Sequence, residues 1–210
     1  MDTPRVGLDE VIATSLLDSR QRHARDLCAE GRALDELRRA LAGSPRTVLQ
    51  KLADLLLNLC DAHSAGVSLL EAAGERPFCR WYAVSGEYRG LLWSTLPCAS
   101  NPCGLALKQS APILLLDPQR HYVPLAALKP SAEEVLLVPF ALRGVTVGTV
   151  WTVSHDPQHF FDADDSRIMT ALTEFAALAY ERLLSFSAED VLKLSRMQCG
   201  EDSEPDPGKA

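Results

Sequence analysis

The chain has 210 residues, 47% of them hydrophobic, and a formal net charge of −7 from 21 lysines and arginines against 28 acidic residues. This length fits one domain of ordinary size with extensions, and the acidic balance argues against a nucleic-acid partner. Its longest uncharged apolar runs, such as 135–142, are far shorter than the roughly 20 residues that cross a bilayer, and the N-terminus lacks a signal-peptide core, so we expect a cytoplasmic protein without a membrane partner.

The first predicted element is a helical extension that covers residues 1–43. Residues 1–18 form only a short amphipathic turn or two. Leucines at 27, 34, 37 and 41 then recur at helical spacing among charged residues, which predicts a helix over 19–42 with a narrow apolar stripe. A narrow stripe usually contacts a single partner helix, either in a second copy of the chain or late in the same chain.

A second helix is predicted directly afterwards. Ser44 can cap it, and Pro45 fits its first position, where the missing N–H costs nothing. Its apolar residues share one wide face of the helix. They are Val48, Leu52, Leu55, Leu56 and Leu59.

The middle of the chain predicts five strands, separated by turns and by a loop rich in Gly, Ser, Pro and Cys. They cover residues 65–72, 78–86, 111–117, 133–142 and 145–155. The tight turn Arg143–Gly144 joins the last two as a hairpin. Hairpins indicate a largely antiparallel sheet, and the fold class is therefore α+β, with the long helices on one face and the central loops on the other.

A final helix is predicted after Asp162, which is placed to cap it. His155 and His159 lie in the turn before this helix, and we interpret both as surface residues. Residues 187–198 extend the helix. The end of the chain, 199–210, is polar, acidic and proline-bearing, which is typical of a disordered tail.

Residues 136–179, "LLVPFALRGVTVGTVWTVSHDPQHFFDADDSRIMTALTEFAALA", resemble the closing hairpin, helix start and alanine-rich last helix of GAF domains. Phe161 and Asp165 match the Phe-x-x-x-Asp of that helix start. The resemblance assigns residues 44–186 to a GAF domain of the kind found in bacterial signalling proteins such as histidine kinases. It implies a six-stranded antiparallel sheet between helices, a small-molecule pocket under the central loops, and a homodimer formed through the flanking helices.

Two of the six cysteines, Cys98 and Cys103, lie close together in the central loop. The motif Cys103-Gly104 is similar to one in free methionine-(R)-sulfoxide reductases with a GAF fold. Those enzymes place the nucleophilic cysteine in a later loop, which here is 117–134 and contains no cysteine. Cys98 and Cys103 therefore remain either a redox-active pair or ordinary pocket lining, and the other cysteines are expected to be free buried thiols.

The other candidate pocket residues are aromatic or polar. Arg120, His121 and Tyr122 lie in a loop expected over the pocket, and His121 has no second ligand at a metal-binding spacing, so no metal site is predicted. Trp81 and Trp151 lie in strands, where one residue of register decides which face each occupies. Trp93, in a loop, is a better candidate for the pocket or the surface.

We predict a non-catalytic sensory module that binds a small molecule or senses redox state. It would signal through helices at 19–42 and 163–197 to a second copy or to a signalling protein. No cofactor can be named, because the Cys-His of bilin-binding GAF domains is absent and the Asn-Lys pair of nucleotide-binding ones cannot be placed. The alternatives are a sulfoxide reductase that uses Cys103, and a dimerisation scaffold without a ligand.

Overall fold

Six strands form one antiparallel sheet in the computed structural model, which describes residues 6–24 and 26–184. They are β1 (Ser64–Ala73), β2 (Arg76–Gly86), β3 (Thr95–Pro97), β4 (Ile113–Leu116), β5 (Glu134–Leu142) and β6 (Val145–Ser154). Their order across the sheet is β3-β2-β1-β6-β5-β4. The predicted α+β class and six-stranded sheet are confirmed, and the sixth strand, β3, lies in the loop that follows β2.

Helices cover both faces of the sheet. They are α1 (Leu16–Ser19), α2 (Leu27–Ala40), α3 (Pro45–Leu59), α4 (Pro102–Gln109) and α5 (Ala163–Leu183). One face carries α3, against β1 and β2, and α5, against β5, while α4 packs on the opposite face against β5 and β6. No described helix combines the length and apolar character needed to span a bilayer.

The two predicted caps fix the starts of the main helices. The Ser44 side chain accepts a hydrogen bond from the Thr47 backbone N–H at 3.2 Å, with Pro45 at the first helical position. Asp162 accepts from the N–H groups of Asp164 and Asp165, and Asp165 accepts in return from the Asp162 N–H at 2.9 Å. Each cap satisfies backbone donors that a helix start leaves unpaired.

The helix predicted over 19–42 is wrong at its start, because α2 begins only at Leu27. Asp26 caps it by accepting from the N–H groups of Cys28 and Ala29. Upstream, Arg20 pairs with Glu134 through two contacts of 2.6 and 2.9 Å. These long-range contacts hold the chain away from a continuous helix, and they have no signature in the local sequence pattern.

The stripe of α2 contacts helices of its own chain. Glu30 pairs with Arg167 of α5 at 3.0 Å, and Arg182 of α5 donates to the carbonyl oxygen of Leu41. Leu37 is fully buried in the common core. Leu27, the first leucine of the stripe, is 71% exposed, so helices of the same chain cover only part of the stripe among the described residues. The predicted extensions at 187–198 and 199–210 lie outside the described residues.

The N-terminal segment runs along the outer edge of β4. Ile12 forms an antiparallel bridge with Leu115, and the Ala13 N–H donates to the Leu114 carbonyl oxygen at 2.9 Å. Val11 is fully buried. The segment thus extends the sheet by a short stretch of pairing and fixes the edge that lies farthest from β3.

Candidate functional site

Trp81 and Trp151 lie on the same face of the sheet, the one covered by α4 and the central loops, which we call the loop face. Their ring centroids are 4.8 Å apart. Gly66 of β1, opposite Trp151, makes room for them, because a Cβ at this position would lie 2.3 Å from the Trp151 ring. The register that the sequence left open therefore places both indoles toward the loops.

These indoles line a cavity of about 40 Å³. Tyr88 completes an aromatic wall, Leu125 and Leu128 close the cavity from the central loop, and Cys103 lies in its lining. A buried water needs roughly 10–15 Å³ measured in this way, so the cavity holds about three waters. Pockets for drug-sized ligands are about ten times larger.

Tyr88 holds the cover of the cavity in place. Its hydroxyl donates to the carbonyl oxygen of Pro130 at 2.8 Å, and its backbone N–H donates to Ser64 Oγ at 3.1 Å. Burial raises the pKa of Tyr88 to about 12, so the hydroxyl remains a donor at neutral pH. In the same wall, the buried Trp81 Nε1 has no hydrogen-bond partner among the described residues.

Three cysteines meet behind this wall, and we call Cys79, Cys98 and Cys103 the three-thiol cluster. The sulfurs of Cys79 and Cys98 are 3.5 Å apart, and Cys79 is near enough to Cys103 to lower the pKa of that thiol. Cys79 and Cys103 are buried, whereas Cys98 is partly exposed. Cys79 thus lies between a thiol that lines the cavity and one that reaches the surface.

Hydroxyl groups support the innermost thiol. The Cys103 Sγ lies 3.5 Å from Ser68 Oγ, which accepts a hydrogen bond from Trp151 Nε1 at 2.9 Å. Because the indole N–H occupies a lone pair of Ser68, the serine proton can turn toward the sulfur. Ser68 is almost fully buried, so this arrangement is shielded from solvent.

The pKa values of Cys79 and Cys103 are shifted in opposite directions. The hydrogen bond from the Cys79 thiol lowers the pKa of Cys103 to about 7, against the opposing effect of burial, and the hydroxyls of Thr149 and Ser68 contribute in the same direction. The pKa of Cys79 is raised, because its proton is held between Cys103 and Cys98. Near neutral pH, Cys103 therefore provides the thiolate and Cys79 its proton donor.

The backbone around the cluster is tightly packed. The buried side chain of Asn101 accepts from the Gly104 N–H at 3.1 Å and donates to the Pro97 carbonyl oxygen at 2.6 Å. A Cβ at Gly104 would lie 1.9 Å from the Cys98 carbonyl oxygen. The lack of a side chain at Gly104 therefore lets α4 pack directly against the turn at Cys98. A shift of that turn has to move the helix.

The structure separates the predicted pocket residues into two groups. Trp81 and Cys103 line the cavity, and Cys98 and Gly104 lie directly behind it. Tyr122 is buried, and this burial, reinforced by nearby Cys103, raises its pKa to about 12.

The remaining three candidates lie away from the cavity. Trp93 is 39% exposed and stacks with the Arg46 guanidinium, whose carbon is 4.8 Å from the ring centroid. His121 Nδ1 lies 2.9 Å from the Val6 carbonyl oxygen, so it holds the N-terminal segment, and Arg120 lies beside Asp117.

Cys79 is the cluster member that the sequence analysis placed among ordinary buried thiols. Residues two apart in a strand share a face, so a cavity position for Trp81 also puts Cys79 on the loop face. Pairing of Cys79 with Leu96 in β3 then brings Cys98 close, since it lies two residues beyond Leu96. The short strand β3 was not predicted, and without it this neighbourhood could not be inferred.

The histidines near the last helix are less exposed than the sequence suggested. His155 is partly buried, with Nδ1 2.7 Å from the Ser131 carbonyl oxygen and Nε2 2.9 Å from Ser64 Oγ. Burial lowers its pKa, and the nearby His63 adds to the effect. His155 therefore links β1 and the central loop in its neutral form.

One group of candidate metal ligands lies at the start of α5. His23, Asp162 and Asp165 each offer a ligand atom, and these atoms lie within 4.8 Å of one another. Asp162 also accepts from the His23 backbone N–H at 2.7 Å. Because both carboxylates take part in the capping of α5, helix capping accounts for their placement.

A GAF domain family model matches residues 42–181, and the chain therefore belongs to the GAF domain family. Among solved structures, it resembles the GAF domain of an Acinetobacter phosphoenolpyruvate-protein phosphotransferase, with 16% identity and a TM-score of 0.64 over 78% of this chain and 97% of that one. A free methionine-R-sulfoxide reductase from Neisseria meningitidis has 15% identity and a TM-score of 0.57, over 77% and 95%.

The second GAF domain of DevS from Mycobacterium smegmatis has 24% identity and a TM-score of 0.53, over 68% of this chain and 96% of that one. No curated protein sequence matches significantly. The predicted family is confirmed. At these identities the structural neighbours support the fold alone.

Proposed function

We propose that this GAF domain is a non-catalytic redox sensor whose response is a disulfide between Cys79 and Cys98. The observation that carries the proposal is the distance of 3.5 Å between their sulfurs, in the reduced chain. A disulfide needs about 2.05 Å, so a shift of about 1.5 Å joins them. One thiol is buried on β2 and the other is partly exposed in the turn after β3, so they provide a pair that an oxidant can reach and that the fold can hold.

The cavity supports redox sensing over ligand sensing. Its volume of about 40 Å³ leaves no room for a nucleotide or a tetrapyrrole beside Trp81 and Trp151. Large ligands would require the wall of packed aromatic side chains to open. A change at the thiols needs no such opening.

The packing at Gly104 would transmit a movement of the thiols to helix α4. Movement of Cys98 toward Cys79 displaces the turn at 98–100, and α4 follows because Gly104 leaves no gap against the Cys98 backbone. We propose that the altered loop face is read by a second copy of the chain or by a signalling protein, through the flanking helices. A cytoplasmic location, where thiols are kept reduced, fits a transient disulfide.

Diamide oxidation of the reduced full-length chain tests this function. We expect peptide mass spectrometry to find a Cys79–Cys98 disulfide, and hydrogen exchange in α4 to change with it. The Cys98→Ser variant should lose both effects, whereas Cys28→Ser, which removes an exposed thiol on α2, should retain them. If Cys79 stays reduced in the folded chain, or if exchange in α4 is unchanged when the disulfide has formed, the proposal is wrong.

A second candidate function is thiol-dependent reduction of methionine sulfoxide, favoured by the three-thiol cluster and by the fold shared with free methionine-R-sulfoxide reductases. Against it stand the small cavity and the absence of a cysteine in the loop 117–134. An assay of sulfoxide reduction with wild type and Cys103→Ser decides this point, since no Cys103-dependent turnover would exclude it. The third alternative is a dimerisation scaffold without a ligand. Native mass spectrometry tests it, because the same spectrum shows whether the chain forms the predicted homodimer and whether a ligand is bound.

A further inference from the structure

We propose that hydrogen peroxide is the oxidant, that it reacts first with Cys103 inside the cavity, and that the oxidation then passes through Cys79 to Cys98. This inference rests on the proposed redox function and adds an order of events and a substrate class, the small hydroperoxides. It assigns a separate role to each cysteine of the three-thiol cluster.

The cavity selects for a very small oxidant. About 40 Å³ accommodates about three waters, so hydrogen peroxide, with two heavy atoms, fits beside the Cys103 sulfur. Bulky organic hydroperoxides do not fit. Trp81 is part of the cavity wall, and its buried Nε1 has no hydrogen-bond partner among the described residues.

The order of the thiols follows from their positions. Cys103 lies in the cavity lining, whereas Cys79 and Cys98 do not. Cys79 lies 3.5 Å from Cys98 and near enough to Cys103 for the two thiols to shift each other's pKa, and Cys98 is the partly exposed member, open to a reductant in solution. Oxidation can therefore enter at the buried end of the cluster and leave at the exposed end.

Each step balances. The Cys103 thiolate attacks one peroxide oxygen, the O–O bond breaks, and the departing hydroxide takes a proton to become water, which leaves a sulfenic acid on Cys103. The Cys79 sulfur then attacks the Cys103 sulfur, the S–O bond breaks, and water leaves as the Cys79–Cys103 disulfide forms. The Cys98 sulfur attacks Cys79, the S–S bond to Cys103 breaks, the Cys98 proton passes to the departing Cys103 sulfur or to solvent, and the Cys79–Cys98 disulfide results. A dithiol reductant restores the reduced cluster.

The protonation pattern agrees with this order. A thiol with a pKa of about 7 is about half ionised at pH 7, compared with about 3% for an ordinary thiol. Its lower basicity reduces the reactivity of the thiolate by about fivefold, which leaves Cys103 about threefold faster than an ordinary thiol. Oxidation of Cys103 removes one of the causes that raise the pKa of Cys79, the interaction with the Cys103 sulfur, and so favours attack by Cys79 at that stage.

Peroxide oxidation of the full chain, followed by thiol titration and peptide mass spectrometry, tests the relay. Cys103→Ser should slow the loss of thiols by about threefold or more at pH 7. Cys79→Ser should accumulate sulfenic acid on Cys103, trapped with dimedone, and Cys98→Ser should stop at the Cys79–Cys103 disulfide. Cys28→Ser should match wild type, and circular dichroism should verify that each variant is folded.

The outcomes separate this inference from the proposed function. If dimedone labels Cys98 first, or if Cys103→Ser is oxidised as fast as wild type, the relay is wrong, and a Cys79–Cys98 disulfide made by diamide still supports the sensor. If neither diamide nor peroxide joins Cys79 to another cysteine, both proposals fail. Should tert-butyl hydroperoxide react as fast as hydrogen peroxide, selection by the cavity is excluded.

Discussion

The two faces of the sheet differ in chemistry although they share the same strands. In β6, Thr152 faces α5, where its hydroxyl lies 3.4 Å from Met169 Sδ, whereas its neighbour Trp151 faces the cavity. The face under α3 and α5, which we call the helix face, is closed by packed aliphatic and aromatic side chains. The loop face holds thiols, hydroxyls and indoles. Because adjacent residues of a strand face opposite sides of the sheet, one residue contributes to the packed core and the next to the reactive site.

Among the substitutions that test this division, Leu52→Ala should cause the largest loss of stability. Leu52 is fully buried in α3, and its truncation should lower the free energy of unfolding by about 2–5 kcal/mol. Urea denaturation measures the loss. Leu178→Ala, at a position 45% exposed on α5, should change stability by less than about 0.5 kcal/mol. The rate of Cys103 oxidation in the folded protein should be the same in both variants, and a large change in that rate for Leu52→Ala would break the division.

Gly104→Ala should have an intermediate effect, confined to the loop face. The added Cβ would meet the Cys98 carbonyl oxygen at 1.9 Å, so we expect a loss of about 1–3 kcal/mol together with slower formation of the Cys79–Cys98 disulfide. Gly31→Ala is the matched control, since a Cβ there meets nothing within 4 Å in α2, and it should stabilise the chain by roughly 0.5–1 kcal/mol. Unchanged disulfide kinetics in Gly104→Ala would contradict the proposed link between Cys98 and α4.

The smallest change in stability should come from the protonation of His155 as the pH is lowered. Because burial lowers its pKa in the folded state, the unfolded chain binds more protons in the range between that value and the usual 6.5. The contribution of His155 to the free energy of unfolding should therefore be fully present above about pH 6.5 and should decrease as the pH falls toward the folded-state pKa. His63, Glu87 and Glu133 are the titratable groups that also act on this ring.

Urea denaturation across this pH range, for wild type and His155→Asn, measures the contribution. The variant should be less stable at neutral pH, because it loses the contacts with Ser131 and Ser64, but its stability should depend less on pH. Equal pH dependence in the two proteins would assign the effect to another group.

The sequence predicted those parts of the fold that depend on neighbouring residues. Ser44 and Asp162 cap helices through contacts with residues two or three positions away, and Arg143 and Gly144 take up the positive φ angles of 53° and 82° that a tight hairpin turn requires. The start of α2 was missed, because distant Glu134 holds Arg20.

The site was predicted only in part, for the same physical reason. Cys98 and Cys103 stand close together in sequence and were singled out, but Cys79 joins them through strand pairing 19 residues away from Cys98. His121 was expected over the pocket, whereas it contacts Val6, which lies 115 residues earlier in the chain. Local patterns contain no information about such partners unless the register of the strands is already known.

The pairing of the N-terminal segment with β4 also determines how this sheet meets other chains. An exposed strand edge is a template on which a second molecule can add a strand and begin to aggregate. Residues 11–13 occupy the edge of β4 by the bridge between Ile12 and Leu115, and the opposite edge is the three-residue strand β3, which ends at Pro97. Removal of residues 11–13 would leave the apolar strand Ile113–Leu116 open to neighbouring molecules, so these residues also protect the chain against aggregation.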